Sequence, residues 1–115
     1  QTRIGLKPLN RKPVKEIISG LNRIFDSRIR LGIMSVLVVN EQADFNTLKN
    51  LLDMTDGNLA SHLAALEKNE LIEVSKLFIG RKPNTRYKAT EKGKQAFREH
   101  LDFLDKLLKS QPGVP

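Results

Sequence analysis

The stretch that decides the fold runs from residue 55 to residue 89 and reads TDGNLASHLAALEKNELIEVSKLFIGRKPNTRYKA. Its first part has leucine at positions 59, 63 and 66. This spacing predicts a helix over residues 55–69 with a narrow apolar stripe and Thr55 as its N-cap. From residue 71 the period changes from about four to two, as in strands, and the composition of Gly80–Asn84 indicates a loop. We therefore predict that a β-hairpin over residues 71–89 follows the helix.

The residues before this stretch predict further helices. Apolar side chains recur at helical spacing in three segments, Ile17–Phe25, Ile29–Leu37 and Phe45–Leu52. Asp26 or Ser27 can cap the second helix, because a short side-chain oxygen accepts hydrogen bonds from the free N–H groups at a helix start. The polar residues Asn40–Asp44 indicate a turn. The helix over 55–69 is thus expected to follow a short helix across a tight turn.

One long helix is predicted after the hairpin, over residues 90–109, beginning at Thr90. Its apolar stripe is wider than a small domain usually needs, and with Ile17, Ile18 and Leu21 it could form a dimer seam. Packing within one chain is the alternative. We expect a mainly α fold with a small β-hairpin, an α+β domain over residues 13–109, with a flexible basic arm over 1–12 and a tail over 110–115.

Positive charge is concentrated on the predicted hairpin. The chain has 20 Lys and Arg against 13 Asp and Glu, a net charge of +7, which favours a polyanionic partner. Residues 76–94 hold seven basic side chains and one acid, whereas residues 31–75 hold two basic side chains and seven acids. The hairpin is therefore expected to carry the positive field, with a merely solvated charged hairpin as the alternative.

The order helix, helix, tight turn, helix, basic hairpin, helix is that of a winged helix-turn-helix. Particular residues fall in the expected places: Asn58–Leu63, Leu66, Glu67, Leu71, Ile72, Lys82, Pro83, Thr85, Tyr87, Thr90 and Gly93. From about Ser27 to Leu108 the chain resembles the winged-helix transcriptional regulators related to MarR and ArsR. This resemblance implies a dimeric repressor, and the apolar stripe described above makes the N- and C-terminal helices the expected dimerisation elements. The family commonly has glycine after the recognition helix, where this chain has Asn69-Glu70, and asparagine tolerates the left-handed backbone of that turn better than most residues.

The candidate DNA-binding residues lie on the predicted recognition helix and on the hairpin. On the helix, away from its leucines, they are Asn58, Ser61, His62, Ala65 and Lys68, and on the hairpin they are Arg81, Lys82, Asn84 and Arg86. Asparagine can pair with adenine through two hydrogen bonds, whereas basic side chains on a wing contact phosphates without reading sequence. A solvated helix face, with His62 as a surface histidine, is the alternative.

Other functional classes find little support. The chain has no cysteine and only two histidines, His62 and His100, so disulfides are excluded and we expect no metal or other cofactor. No catalytic set stands out, so we expect no enzyme. The longest uncharged run, Leu31–Asn40, is too short for a membrane span, and we expect a cytoplasmic protein. A protein-interaction module and an RNA-binding protein remain alternatives, and a small-molecule effector between the terminal helices and the winged core is left open.

Overall fold

The structure, a computed structural model, describes residues 14–111. Its elements in chain order are α1 (Val14–Ser19), a 3-10 turn (Arg23–Asp26), α2 (Arg28–Val39), β1 (Ala43–Asp44), α3 (Phe45–Leu52), α4 (Asp56–Lys68), β2 (Ile72–Ile79), β3 (Lys82–Ala89) and α5 (Glu91–Lys109). This order confirms the predicted winged helix-turn-helix fold, mainly helical with a small sheet. The predicted arm over 1–12, residue 13 and residues 112–115 lie outside the described residues.

The helices begin where short polar side chains can accept hydrogen bonds from free backbone N–H groups. Four caps do so: Ser27 for Ile29 and Arg30, Asp44 for Thr47, Thr55 for Asn58, and Thr90 for Gly93. Of the two candidates for the start of α2, Ser27 is therefore the cap, and Asp26 belongs to the 3-10 turn. Each such cap stabilises a helix by about 1 kcal/mol.

A single core holds α4 in place. It is made largely of fully buried side chains from α2, α3, α4 and the preceding 3-10 turn, namely Phe25, Ile33, Met34, Leu37, Leu48, Leu59 and Leu66. Leu63 of α4 is also buried. The three leucines of α4 thus form its anchor, as their spacing predicted, and the rest of the helix surface is turned away from the core.

Two sequence expectations for the first half of the chain are wrong in detail. The first helix ends at Ser19, and Ile24 and Phe25 lie in the separate 3-10 turn, whose start is capped by the side chain of Asn22. The segment Asn40–Asp44 is not only a turn, because its last two residues form β1, which pairs with β3. A two-residue strand is too short to show the alternation that is typical of strands. It forms because it pairs with β3, more than forty residues away in the sequence.

The hairpin has a tighter end than its composition indicated. Ile79 pairs with Lys82, so that only Gly80 and Arg81 form the turn, while Lys82, Pro83 and Asn84 belong to β3. Gly80 has φ of 64°, and a glycine with positive φ at the first central position is the pattern of a type II′ turn. The predicted alternation is present, because Ile72, Val74, Tyr87 and Ala89 share one face and pair across the strands.

The corner between α4 and β2 is closed by Glu70 rather than by Asn69. Asn69 has φ of −87°, whereas Glu70 has φ of 62° and is the left-handed residue. Its N–H donates to Glu67 O and the next N–H, of Leu71, donates to Leu66 O, which is the Schellman pattern. The carbonyl of Glu70 then accepts a hydrogen bond of 2.7 Å from the Thr90 hydroxyl. This corner fixes the direction in which the hairpin leaves α4.

Candidate nucleic-acid interface

The surface of α4 opposite its leucines is open to solvent over most of its length. Asn58, Ser61 and Lys68 are exposed, whereas His62 and Ala65 are half-buried. Thr55 caps the start of this helix, so its first N–H groups are partly satisfied. The five residues predicted on the helix therefore divide into three that are free to reach a partner and two at the edge of the core.

A lysine of α3 offsets the negative charge at the start of α4. Lys49 Nζ lies 2.7 Å from the Asp56 carboxylate, in the first turn of α4. That carboxylate also lies at the positive end of the helix dipole, which stabilises it. The acid therefore repels a polyanion less than the sequence alone indicated.

His62 is held by a residue that sequence reasoning missed. Arg30 Nη1 lies 3.3 Å from His62 Nδ1, and the Arg30 Nε donates to the carbonyl of Ile24. A guanidinium has no acceptor, so this contact is a hydrogen bond when Nδ1 is the acceptor and Nε2 carries the proton. His62 is thus joined to α2 and offers a donor at its other nitrogen. The two residues are 32 positions apart, and no local pattern connects them.

The four candidate residues on the hairpin occupy two different settings. Arg81 and Lys82 are exposed at its end. Asn84 and Arg86 are half-buried near its base, where Arg86 Nε donates to Asn84 Oδ1 at 2.8 Å and Asn84 Nδ2 donates to Asp44 Oδ2 at 3.4 Å. Arg81 and Lys82 are therefore open to solvent, whereas Asn84 and Arg86 link the hairpin to Asp44 at the start of α3.

Asp44 links the hairpin to the helix-turn-helix. Its Oδ1 accepts a hydrogen bond of 2.8 Å from Thr47 N, and hydrogen bonds to Thr47 are the main cause that lowers its pKa, with smaller contributions from Asn84 and Arg86. It also lies opposite Arg86 in the pairing of β1 with β3. One carboxylate thus caps α3 and positions the base of the hairpin. The sequence around Asp44 indicates only a turn, because both roles depend on its contacts with Thr47, Asn84 and Arg86.

Two clefts flank the hairpin, one on each of its faces. The first, of about 370 Å³, lies between α4 and the face that carries Val74 and Tyr87, and it includes Lys76 and Glu67. The second, of about 380 Å³, lies on the other face, where Arg86 and Asp44 meet Val36 and Leu51. Residues 75–83 are all exposed, so the far half of the hairpin packs little against the rest of the described chain.

Residues 14–111 contain no helix long and apolar enough to cross a membrane. In the same part of the chain, no three His, Asp or Glu side chains are grouped to hold a metal ion.

Comparison with known proteins gives three informative similarities. A family model described as a winged helix DNA-binding domain matches residues 29–108. An uncharacterized protein of Methanocaldococcus jannaschii is 38% identical over 88 residues, which cover 76% of this chain and 96% of that protein. The structure of a transcriptional regulator homologue from Pyrococcus horikoshii has a TM-score of 0.74 at 33% identity, covering 84% of this chain and 93% of that one.

The fold also extends to a more distant protein. The zinc-responsive MarR family member ZitR of Lactococcus lactis has a TM-score of 0.56 at 20% identity, over 73% of this chain and 57% of that one. At this identity only the fold is shared. The residues matched by the family model run from α2 into α5 and so include both α4 and the hairpin.

Proposed function

Because this chain belongs to the winged helix DNA-binding domain family, we propose that it is a transcriptional regulator that binds a specific double-stranded DNA sequence as a homodimer and acts as a repressor. The observation that carries the proposal is the open polar face of α4 beside a basic hairpin. Asn58 and Ser61 are exposed on that face, and Arg81 and Lys82 are exposed at the hairpin end. Such a helix fits the major groove, while the hairpin lies over the adjacent backbone.

We assign sequence reading and phosphate binding to different residues. Asn58 and Ser61 can reach base edges, and His62 can contribute the N–H that Arg30 leaves at Nε2. Lys68, Arg81 and Lys82 are cations that suit phosphates. Ala65 is half-buried and Asn84 and Arg86 are tied to Asp44, so their contribution to DNA is expected to be smaller.

The dimer is supported by the unpartnered part of α5. Leu101, Leu104 and Leu108 are spaced three and four residues apart on this helix and are 46%, 37% and 76% exposed. Ile18 of α1, which packs against α5, is also exposed. A second copy that covers these side chains would bring two α4 helices to half-sites about one DNA turn apart, so a nearly palindromic operator is expected.

Selection of bound sequences from a random duplex pool tests the proposal. The full chain is then titrated with the selected duplex at several salt concentrations, with duplex RNA as competitor. We expect a nearly palindromic sequence and affinity that falls steeply with salt, because each phosphate contact contributes about 0.9 to the slope of log K against log salt. No enrichment, or affinity independent of salt, would contradict the proposal, and preference for RNA would replace it with an RNA-binding function.

A matched pair of charge variants locates the binding surface. The triple variant Arg81→Ala/Lys82→Ala/Arg86→Ala should reduce the salt slope by about two to three. The control, Arg98→Ala/Lys106→Ala/Lys109→Ala, removes the same charge from exposed positions of α5 and should leave most of the slope intact. If the hairpin variant binds DNA as the unchanged protein does, the hairpin is not part of the interface. A reporter gene behind the selected operator then distinguishes repression from activation.

A further inference from the structure

Strand β2 lies at the edge of the sheet, because the strand order is β1-β3-β2. Every residue of β2 beyond Val74 is exposed to solvent. Three consecutive side chains among them are large and apolar, and Leu77, Phe78 and Ile79 are 36%, 72% and 54% exposed. An exposed apolar edge strand is a template for pairing with another strand, and β2 contains no proline to prevent it. We call residues 75–79 the open edge.

The register of the hairpin decides which backbone groups of the open edge are available. Ile79 and Lys82 flank the two-residue turn, and the residues that flank such a turn are hydrogen-bonded to each other. Pairs alternate along an antiparallel ladder, so Leu77 also turns its N–H and C=O groups toward β3. The N–H and C=O groups of Lys76 and Phe78 therefore point away from β3, and a further strand can bind to them.

We infer that the open edge is a self-association surface, on which the β2 strands of two copies pair antiparallel with their Leu77 residues side by side. The two hairpins then form one four-stranded sheet across a twofold axis. In this register Lys76 of each copy exchanges hydrogen bonds with Phe78 of the other, and Ser75 lies opposite Ile79. The pairing itself does not depend on the proposed function.

The pairing covers apolar side chains on both faces of the open edge. Successive residues of a strand point to opposite faces, so Leu77 and Ile79 lie on one face and Phe78 lies on the other. On the first face the two Leu77 side chains contact each other and the neighbouring Ile79 side chains. On the second face Lys76 of each copy lies opposite Phe78 of the other copy. There its aliphatic stem packs on the ring, and its ammonium group gains a cation–π contact.

Opposite charges meet at both ends of the paired segment. When the register is continued beyond Ile79, Arg81 in the turn of one copy comes beside Glu73 of the other, and the twofold axis repeats this contact. Glu73 and Arg81 are both exposed, and neither takes part in an ion pair among residues 14–111. Opposite charges on neighbouring strands stabilise a pairing. This complementarity favours a second copy of β2 as the occupant of the open edge.

The neighbouring registers are less favourable. A pairing centred on Lys76 puts two ammonium groups opposite each other, and like charges opposed across strands are destabilising. Registers further toward the body drive the turn of each copy past Ile72 of the other, which is buried. A pairing centred on Phe78 shortens the paired segment to residues 77–79 and separates the opposite charges at its ends. The register centred on Leu77 is therefore the one that the side chains of β2 favour.

The association is weak and engages a residue of the proposed DNA surface. Five residues of each copy bury far less area than a stable interface needs, so we expect a dissociation constant of about 0.1 mM or more. Paired copies are then scarce at the concentrations used for DNA binding. Because the pairing engages Arg81, which we assign to phosphates, we expect duplex DNA to compete with it. This consequence, unlike the pairing, rests on the proposed function.

Cysteine crosslinking tests the pairing and its register, because the chain has no cysteine of its own. In the proposed register the two Leu77 Cα atoms lie about 4.5 Å apart, within the range of a disulfide. The two Ser75 Cα atoms lie four residues apart along the strands, about 14 Å. Full-length Leu77→Cys and its control Ser75→Cys are oxidised at high protein concentration and compared on a non-reducing denaturing gel, where only a disulfide holds two copies together. Circular dichroism establishes that both variants are folded.

We expect Leu77→Cys to form linked dimers about tenfold faster than Ser75→Cys, because only the first pair of cysteines lies within disulfide distance. Equal rates for the two variants, or no linked dimer from either, would overturn the pairing. Flotation of the unchanged protein with vesicles of equal parts phosphatidylcholine and phosphatidylglycerol, lost in Phe78→Thr/Ile79→Thr and without crosslinking of Leu77→Cys, would assign the open edge to a membrane instead.

A charge exchange in the Leu77→Cys background tests the contact between Glu73 and Arg81. Glu73→Arg should slow crosslinking about fivefold, because two attractive contacts become repulsive. Glu73→Arg/Arg81→Glu should restore the rate. Glu73 also lies opposite Lys88 within its own hairpin, and restoration by Arg81→Glu distinguishes the contact between copies from that one. A double variant as slow as Glu73→Arg would contradict the register.

The selected duplex tests the competition with DNA. In excess over the protein it should slow the crosslinking of Leu77→Cys severalfold, because bound hairpins are withdrawn from the pairing. Equal crosslinking with and without bound duplex would contradict the competition and leave both the pairing and the proposed function intact. If no duplex binds, the proposed function fails, while crosslinking in the absence of DNA still decides whether β2 pairs with a second copy.

Discussion

The carbonyl oxygen of Leu71 occupies the position where a side chain on Gly93 would begin. A Cβ built on Gly93 would overlap with this oxygen and would lie 2.8 Å from the carbonyl carbon. The same oxygen accepts a hydrogen bond of 3.0 Å from Thr90 N. The start of α5 therefore rests directly on the backbone that leads from α4 into the hairpin, and this contact helps to fix the position of the hairpin relative to α4.

Replacement of Gly93 by alanine should destabilise the fold by about 3 kcal/mol, because backbone must move to admit the methyl group. Urea unfolding of Gly93→Ala measures the change. The matched control is Gly57→Ala in α4, where nothing lies within 4 Å of the added carbon. There the change should stabilise the protein by about 0.5–1 kcal/mol, since alanine favours a helix. Equal stabilities of the two variants would contradict the packing described.

Arg30 is expected to determine which nitrogen of His62 carries the proton. Nitrogen NMR shifts should show the Nε2–H form in the unchanged protein, because Arg30 Nη1 can only donate to Nδ1. In Arg30→Ala the two forms should mix, and the affinity for the selected duplex should fall about fivefold to tenfold, as for one lost hydrogen bond. Arg28→Ala is the control, since it removes the same charge from an exposed position of α2. If both variants lose affinity equally, charge alone accounts for the effect.

The sequence was sufficient to predict the features that depend on neighbouring residues. Ser27, Thr55 and Thr90 act as caps, and Leu59, Leu63 and Leu66 form the buried stripe of α4, because a cap and an amphipathic stripe are properties of one helix. These local signals, in their order along the chain, were enough to give the winged helix-turn-helix.

Features that depend on distant contacts were missed. Strand β1 exists because Ala43 pairs with Tyr87, and Arg30 meets His62 only when α2 packs against α4. Glu70 takes the left-handed conformation that the sequence indicated for Asn69. The carbonyl of Glu70 accepts a hydrogen bond from the hydroxyl of Thr90, twenty residues further on. This hydrogen bond helps to place the left-handed residue at position 70 rather than at position 69. The role of each candidate DNA contact stays a prediction.

Acid is expected to weaken the fold through His100 on α5. This histidine is 5% exposed, its ring centroid lies 5.0 Å from that of Phe25, and its Nδ1 has no hydrogen-bond partner within residues 14–111. Burial lowers the pKa of His100, and the negative charge of Asp26 opposes this only in part. A lowered pKa means that the folded chain resists protonation more than the unfolded chain does. The contribution of His100 to stability is therefore complete above about pH 6.5, the pKa of a histidine in the unfolded chain. It is lost as the pH falls below that value.

Urea unfolding between about pH 4.5 and 7.5 tests this expectation. The free energy of unfolding should decrease toward the acid end in the unchanged protein, and much less in His100→Leu. The lowered pKa of Asp44 also reduces stability in acid, but it acts below about pH 4, outside this range. Asp44→Asn is thus a suitable control. Its free energy of unfolding should still decrease toward the acid end of the range, as it does in the unchanged protein. If the free energy of unfolding of His100→Leu depended on pH as that of the unchanged protein does, a group other than His100 would be responsible.

Charge placed on the leucine stripe of α5 should separate the two copies of the proposed dimer. Leu101 and Leu108 lie seven residues apart on the same side of this helix and are exposed, so Leu101→Glu/Leu108→Glu should remain folded. In a seam between copies, however, the carboxylates would be buried without partners, which costs several kcal/mol and favours the monomer. Sedimentation equilibrium should give a dimer for the unchanged chain and a monomer for this variant.

The control for the dimer test is Val39→Glu, an exposed position outside α5 that should leave the dimer intact. Because a monomer can occupy only one half-site at a time, the α5 variant should also bind the palindromic duplex far more weakly, although its α4 and hairpin are unchanged. A single half-site should be bound equally by the variant and the unchanged protein. A monomeric unchanged chain at the concentrations used for DNA binding would contradict the seam, and the leucine stripe would then require a different partner.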